Sequence, residues 1–375
     1  MKSSYKTIEE LVVRIDERNS SNEAGVLLGV SIDKCFIPSV ANTIGTDLTK
    51  YKLIRKDDFA VSLMQVSRDS RIPIARQTQY EVAMMSPAYP IFRVKNPNEI
   101  LPEYLEMWFK RDEFDREAAF IAVGGVRGSM PWNEFAQMQV YVPNIKQQKK
   151  IVDVYRIVEE RIELKRKIND NLEATLSTLY KEFFTIPPSA ELPFGWKIAP
   201  FSDIATVIMG QSPESEDCNN DGSGKPLLNG PTEFGFYSPR PVQWTTNSKK
   251  CCIDGDLLFC VRGSTTGRMN WANQTYAIGR GLAAIRHKTD SKLNWFIKAM
   301  IANSLQEILA AATGSTFPNV GKDLLNGFQV VIPDGNTLQK FSLQGHTISC
   351  LITENAKEID ALLILQKTLL SKLTI

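Results

Sequence analysis

VYVPNIKQQKKIVDVYRIVEERI, Val140 to Ile162, reads as a short apolar strand ending at Pro143, followed by a long helix. From Ile151 the apolar positions step by four and three: Ile151, Tyr155, Val158, Ile162, Lys165, Asn169, Leu172, Leu176, Leu179, Phe183. That is a heptad seam with a polar break in its middle. The pattern recurs at an offset of 190: VVIP (Val330 to Pro333) precedes Phe341, Gly345, Ile348, Ile352, Asn355, Ile359, Leu362, Gln366, Leu369 and Leu373. The phase is the same, and polar Lys165 and Asn355 fall at equivalent places, where a register-setting role is open. A helix lying only against its own domain needs no matched break.

Outward from these helices, the second half of the chain repeats the first. CFIPS (Cys35 to Ser39) faces GFYSP (Gly235 to Pro239), DDFAV (Asp57 to Val61) matches GDLLF (Gly255 to Phe259), and each half carries a Gly-Ser pair, Gly128-Ser129 and Gly314-Ser315. Loop insertions account for a drifting offset. The expected architecture is α+β: two mixed α/β domains related by pseudo-twofold symmetry, separated by two long helices packed as an antiparallel coiled coil. The domains are expected at 1–145 and 186–334, and the helices at 146–185 and 335–375. At 1.5 Å per residue each helix would span roughly 50 Å. That exceeds one turn of B-DNA, about 34 Å, so the pair could act as a ruler between two readers on one duplex.

Inside each half the expected elements are short. A helix is predicted at Ile8 to Arg18, with strands in Val26–Ile32, Phe59–Met64 and Pro90–Val94. A helix at Pro102–Ala119, opened by its proline, is mirrored at Leu293–Ala312. Asp57-Asp58 reads as a turn before a strand rather than a catalytic pair, because adjacent strand residues face opposite ways.

The chain has 375 residues and 43% hydrophobic content, enough for two or three cores. It has no apolar run long enough to span a membrane and no signal-peptide stretch, so a cytoplasmic location is expected. Six cysteines lack disulfide or zinc spacing, and reduced thiols packed as small hydrophobes are expected. Net charge is only +2. The distribution says more: Lys50 to Arg76 holds seven Lys/Arg against three Asp, and Arg240 to Lys288 eight against two. Two phosphate-binding faces would need such charge at equivalent places. The alternative is a solvated surface neutralised by charges folded back from elsewhere.

Catalytic machinery is scarce. There are two histidines, His287 and His346. GSGK (Gly222 to Lys225) fails as a phosphate loop, because Asn219 stands where the first glycine belongs and Pro226 where Ser or Thr belongs. No dinucleotide fingerprint, nucleophile elbow, zinc-protease motif or amino-methyltransferase Asn/Asp-Pro-Pro motif is found. The composition is that of a binding protein, without a metal site.

At this point the residues resemble a family. LPFGW (Leu192 to Trp196) leading to GQSP (Gly210 to Pro213) resembles the start of a target recognition domain in the DNA-specificity subunits of type I restriction–modification enzymes. Val140 to Ile162 approximates that family's P-x-x-x-Q-x-x-I helix start, and Ile37 to Ala60 resembles its first domain. The second helix start is shifted at Gln339. The resemblance covers essentially the whole chain. It implies a non-catalytic subunit that binds double-stranded DNA and joins two modification subunits, which bring S-adenosylmethionine; this chain itself would hold no cofactor. Restriction subunits would complete the endonuclease. Each recognition domain would read one half of a split target. The helices would set the gap and dock the modification subunits, through Ile151, Tyr155, Val158, Ile162, Leu172, Leu176, Leu179, Ile348, Ile352, Ile359, Leu362 and Leu369.

Base readout needs a few side chains at groove edges, chiefly Arg to guanine and Asn or Gln to adenine. First-domain candidates are Ser67, Arg68, Arg71, Arg76 and Ser129, with Gly128-Ser129 as a close backbone approach. Second-domain candidates are Arg262, Ser264, Thr265, Arg268, Arg280 and Thr316. VRGSTTGR (Val261 to Arg268) is foremost: two arginines flank small hydroxyl residues in a glycine-bounded loop. An intradomain salt bridge is the competing use for any one arginine. Two other classes stay open. A self-contained methyltransferase or nuclease would bind S-adenosylmethionine or metal alone, and a coiled-coil scaffold would shift no DNA.

Overall fold

A computed structural model describes residues 5–21, 23–39, 45–64, 66–123, 128–187, 190–314 and 317–373. The chain divides into two compact units, residues 1–162 with 361–375, and residues 163–360. The division runs through both long helices, so these are shared between the units rather than standing as separate domains.

The first unit contains strands β1 (Tyr5–Thr7), β2 (Val12–Ile15), β3 (Leu27–Val30), β4 (Phe36–Pro38), β5 (Lys52–Arg55), β6 (Phe59–Val61), β7 (Ile74–Arg76), β8 (Val82–Met85), β9 (Ile91–Val94) and β10 (Gln139–Tyr141). Its helices are α1 (Ile8–Leu11), α2 (Val66–Asp69), α3 (Pro102–Phe109), α4 (Asp112–Ile121), α5 (Trp132–Gln137) and the start of α6 (Ile145–Phe184). One antiparallel sheet has the order β2-β9-β6-β7. A second has the order β4-β3-β8-β5, with β3 and β8 parallel. β1 and β10 form a separate ribbon.

The second unit repeats this plan with β11 (Lys197–Pro200), β12 (Ala205–Met209), β13 (Cys218–Asn219), β14 (Lys225–Leu228), β15 (Gln243–Thr245), β16 (Cys251–Cys252), β17 (Leu257–Cys260), β18 (Met269–Trp271), β19 (Tyr276–Ile278), β20 (Leu282–His287) and β21 (Gln329–Ile332). Its helices are α7 (Asn294–Asn303), α8 (Leu305–Ala310), α9 (Lys322–Gly327) and most of α10 (Gly335–Ser371). The sheet β12-β20-β17-β18 answers β2-β9-β6-β7 strand for strand. The sheet β13-β15-β14-β19-β16 answers β4-β3-β8-β5 with β13 added at its edge, and β14–β19 is again the parallel pair. The β11–β21 ribbon answers β1–β10.

The repeat reaches single residues. Asp57 (φ 66) and Gly255 (φ 80) occupy the same left-handed position in the turn before β6 and β17. The next residues, Asp58 and Asp256, are buried, and each caps its turn by accepting from the N–H three residues earlier, Arg55 and Ile253. Asp58 pairs with Arg93 at 2.5 Å, and Asp256 with Arg286 at 2.6 Å. DDFAV and GDLLF are therefore true counterparts, and the turn reading of Asp57-Asp58 holds. CFIPS and GFYSP are not counterparts: β4 corresponds by pairing to β15, while Gly235–Pro239 forms a turn closed by a Phe234–Pro239 bridge.

Three sequence expectations are corrected. The helix predicted at Ile8–Arg18 lasts only to Leu11; a Thr7–Glu10 capping box starts it, then β-branched Val12 and Val13 extend to pair with Val94 and Arg93. The helix predicted at Pro102–Ala119 breaks at Lys110–Arg111, where Arg111 turns extended and stacks over the Trp108 ring at 4.2 Å. Its counterpart breaks likewise, at Ser304. Of the six free cysteines only Cys252 and Cys260 are buried, whereas Cys35 and Cys350 are exposed.

Each unit has its own aromatic core. In the first, Phe59 and Phe92 stack at 5.3 Å under Phe109 and Phe135. In the second, Phe184 meets Phe296 at 4.9 Å and Phe341 at 5.0 Å. The helices thus pack on their own domains as well as on each other. Tyr155, Leu370 and Leu373 join the first core; Leu179, Tyr180, Phe183 and Phe184 join the second. Within the first unit Gln366 donates to Glu159 at 3.3 Å. Within the second, Lys165 donates to Asn355 at 2.8 Å and pairs with Glu358 at 2.9 Å, so Lys165 meets its own counterpart under the 190-residue offset. Asn355 donates to Asn169, which donates to the Ile352 carbonyl at 3.1 Å. Rising numbers on α6 meet falling numbers on α10, an antiparallel pairing. Of the seam residues, Tyr155, Val158, Ile162, Leu176, Ile352 and Ile359 are buried; Ile151, Leu172, Leu179, Ile348, Leu362 and Leu369 are half-buried.

Candidate nucleic-acid interface

Four loops collect at one end of the sheet β12-β20-β17-β18, because its strands are antiparallel and bring the ends of β12 and β17 beside the starts of β18 and β20. They are Gly210–Pro213, Val261–Arg268, Gly279–Gly281 and the segment around Asn319. Val261 is buried; its N–H donates to Gly281 O at 3.0 Å, and its carbonyl accepts from Val320 N–H at 2.8 Å. Gly267 and Arg268 close the loop base against Cys260. The Thr266 hydroxyl lies 2.8 Å from Gly263 O and 3.0 Å from Pro318 O, fixing the loop from within. Only glycine fits two of the neighbouring positions. A Cβ on Gly210 would lie 2.2 Å from Gly279 O, and one on Gly281 would lie 2.4 Å from Asn229 O.

This packing presents Arg262, Ser264, Arg268 and Arg280 outward, with Thr265 half-buried against Cys260. The Arg280 backbone N–H donates to the Ser212 hydroxyl at 3.3 Å. Among the described residues, no carboxylate lies within ion-pair reach of Arg262, Arg268 or Arg280. Thr316 lies outside the described residues. Lys250 belongs to the second basic stretch, but the sequence does not single it out; its carbonyl accepts from Ile278 N–H at 2.9 Å, which seats it beside the Arg280 turn. Register across β16 and β19 places it there, and no linear pattern encodes that.

The first unit builds the corresponding end differently. β6 leads into α2, which carries Ser67 and Arg68, and Met130 N–H donates to Leu63 O at 2.8 Å, as Val320 does to Val261. Gly128 (φ 74) presses on α2: a Cβ there would lie 2.5 Å from the Ser67 hydroxyl. Ser67, Arg68, Gly128 and Ser129 are therefore brought together. Arg68 is exposed and pairs with Asp69 at 2.8 Å; Arg71 is exposed, with Asp33 3.7 Å away.

Arg76 does not belong to this surface. It sits opposite Phe59, at the other end of the sheet, only 13% exposed. Its guanidinium is held by Asp57 at 2.5 Å, Glu106 at 2.8 Å and Glu103 at 3.7 Å. Burial would raise the Glu106 pKa, but Lys110 and Arg76 outweigh it and hold the carboxyl below its usual range. Arg55 is likewise committed to Glu17 and Glu23, Lys56 to Glu81, Arg240 to Asp360 and Arg286 to Asp256. Much of the charge in the two basic stretches is thus folded back on carboxylates, and the second unit retains the more open cationic cluster. Among the described residues no group of His, Cys, Asp and Glu could hold a metal, and no helix is long and apolar enough to cross a membrane. Burial pushes the Cys252 thiol up to about 12.

Residues 193–349, which include this cluster, match the family model for the type I restriction modification DNA specificity domain. The chain is 26% identical over 276 residues to a putative type I restriction enzyme MjaX specificity subunit of Methanocaldococcus jannaschii, covering 70% of this chain and 65% of that protein. It is 22% identical over 295 residues to the MjaIX specificity subunit of the same organism, covering 73% and 68%. The first alignment thus spans slightly less than two thirds of the relative's length. A crystal structure of a type I restriction–modification S subunit from M. genitalium shares the fold, with a TM-score of 0.53 at 13% identity over 98% of this chain and 94% of that one. The chain is thus similar to type I restriction–modification specificity subunits, and residues 193–349 carry the match to their DNA specificity domain.

Proposed function

We propose that this chain is the DNA-reading, non-catalytic subunit of a type I restriction–modification complex. Each unit would read one half of a split target in double-stranded DNA. Two modification subunits would supply S-adenosylmethionine and the methyl-transfer site, docking along α6 and α10, and restriction subunits would complete the endonuclease. The observation that carries the reading is the cluster of Arg262, Arg268 and Arg280, exposed and without carboxylate partners among the described residues, inside the segment matched to the specificity-domain family. Phosphates and guanine edges are the ligands that such arginines suit.

The test is the affinity of the assembled complex for duplex DNA across a salt series. Replacing Arg262, Arg268 and Arg280 by alanine should weaken binding, and the slope of log affinity against log salt should shrink by about one for each phosphate that is no longer neutralised. An unchanged affinity and slope would remove this surface from the reading. A scaffold without DNA readout would show neither.

A further inference from the structure

Asp115 on α4 is buried, and one of its carboxylate oxygens, Oδ1, gathers two separate pieces of chain. It accepts from Ile72 N–H at 3.1 Å, in the segment between α2 and β7, and from Lys34 Nζ at 2.7 Å, in the turn between β3 and β4. Lys34 is itself buried, in a left-handed conformation (φ 60), and its ammonium also donates to Phe109 O and lies 5.8 Å from the Phe114 ring centroid. Arg71 adjoins Ile72, and its guanidinium reaches Asp33, the neighbour of Lys34. Three segments distant in sequence therefore meet at Ile72, one residue from exposed Arg71 and four from exposed Arg68.

Such a pair is a costly way to fill a core. Two well-packed apolar side chains would serve stability as well or better, because both charges are taken out of water. The second unit shows the apolar solution at the corresponding junction: a Cβ added to Gly267, at the end of the Arg262–Arg268 loop, would lie 3.1 Å from Leu305 at the start of α8. What the ion pair adds in the first unit is direction, since Asp115 holds a backbone N–H one residue from Arg71.

We propose that Lys34 and Asp115 are positioning residues for sequence readout by the first unit: they fix the Ser67–Ile72 segment so that Arg68 and Arg71 meet the DNA in one geometry. The proposal rests on the DNA-reading function above. It assigns a specificity role to two side chains that no base would touch.

The experiment uses the full complex with its modification subunits, methylating a duplex library randomised across the whole target. Arg262→Ala identifies which half-site belongs to the second unit. The double variant Lys34→Met with Asp115→Leu replaces the pair by apolar groups and keeps the core filled, but leaves Ile72 N–H untethered. The expected result is relaxed base preference at the first unit's half-site, by on the order of tenfold at one or more positions, with the other half-site still strictly read. That second half-site reports in the same molecule that the complex has folded and assembled. Asp33→Ala, an exposed substitution, should relax a subset of the same positions. An unchanged motif in the double variant, or equal relaxation at both half-sites, would overturn the proposal. A wild-type library yielding no split motif would overturn the functional reading itself, and this inference with it.

Discussion

Arg76 and Arg262 show why a residue type is not yet a role. Both lie in basic stretches of the same kind; one is closed in by three carboxylates and the other faces outward. Arg76→Met should cost the first unit about 2–3 kcal/mol, since it leaves Glu106 without one of its partners, while the salt slope of DNA binding stays unchanged. Arg262→Ala should do the reverse, and thermal melting beside salt titration separates the two. Gln148 is a second case. Fully buried, it accepts from Leu101 N–H at 2.9 Å and donates to Glu99 O at 2.9 Å and Pro143 O at 2.8 Å, latching the start of α6 to that of α3. Gln148→Ala leaves one buried and two partly buried backbone groups without this partner and should cost about 2–3 kcal/mol in a denaturant melt. Asp334 gives a pH test. The Thr337 hydroxyl, the Thr337 N–H, the Trp196 indole and the Asn336 N–H all donate to it, holding its carboxyl at about 2 against an ordinary 3.8. A depressed carboxylate stabilises the fold above its unfolded value and loses that contribution as pH falls. The stability gap between wild type and Asp334→Asn should therefore be constant above about pH 5 and shrink between about pH 4 and 2. A gap undiminished at pH 2 would contradict this origin.

At the scale of elements, the meeting of Lys165 with Asn355 was legible as a matched break in two heptad seams, since helical periodicity survives in sequence, whereas Glu358, off both seams, was not. Asn169 was on the seam, but its bond to the Ile352 carbonyl depends on how closely the helices approach, which spacing alone does not state. Replacing Asn169 and Asn355 together by leucine should leave the second unit as stable or more so, because a hydrogen-bonded polar layer gives way to apolar packing. The same change should loosen helix register. Stability from denaturant melts, beside spin-label distances across α6 and α10, would read this; a marked loss of stability with unchanged distances would argue that the layer is structural cement instead. Short elements were harder to read. Ile8–Arg18 carries a helix-like pattern, yet Val12–Ile15 is claimed by β9, a tertiary partner that outweighs local preference. The breaks at Arg111 and Ser304 were hidden inside helical patterns that are continuous by composition.

At the scale of the molecule, the duplication was legible because turn chemistry and strand–proline–helix order are local. The full correspondence was not, because strand order is set by pairing. β4 answers β15 across a shifted offset that misled the match of CFIPS to GFYSP. The candidate interface was half legible: the VRGSTTGR loop and Arg280 stand out in the sequence, whereas Lys250 does not, and the way Gly210–Ser212, Lys250 and Gly279–Gly281 assemble around the loop follows only from sheet closure. The central claim is that two units of one plan each read half of one target. The most direct test is the methylation pattern of a methylation-free host carrying this chain with its modification subunit, compared with the modification subunit alone. The account predicts a new adenine-methylated motif in two parts with a fixed gap, present only with this chain, one part of which is lost on replacing Arg262, Arg268 and Arg280. An uninterrupted motif, or none despite a soluble assembled complex, would contradict it.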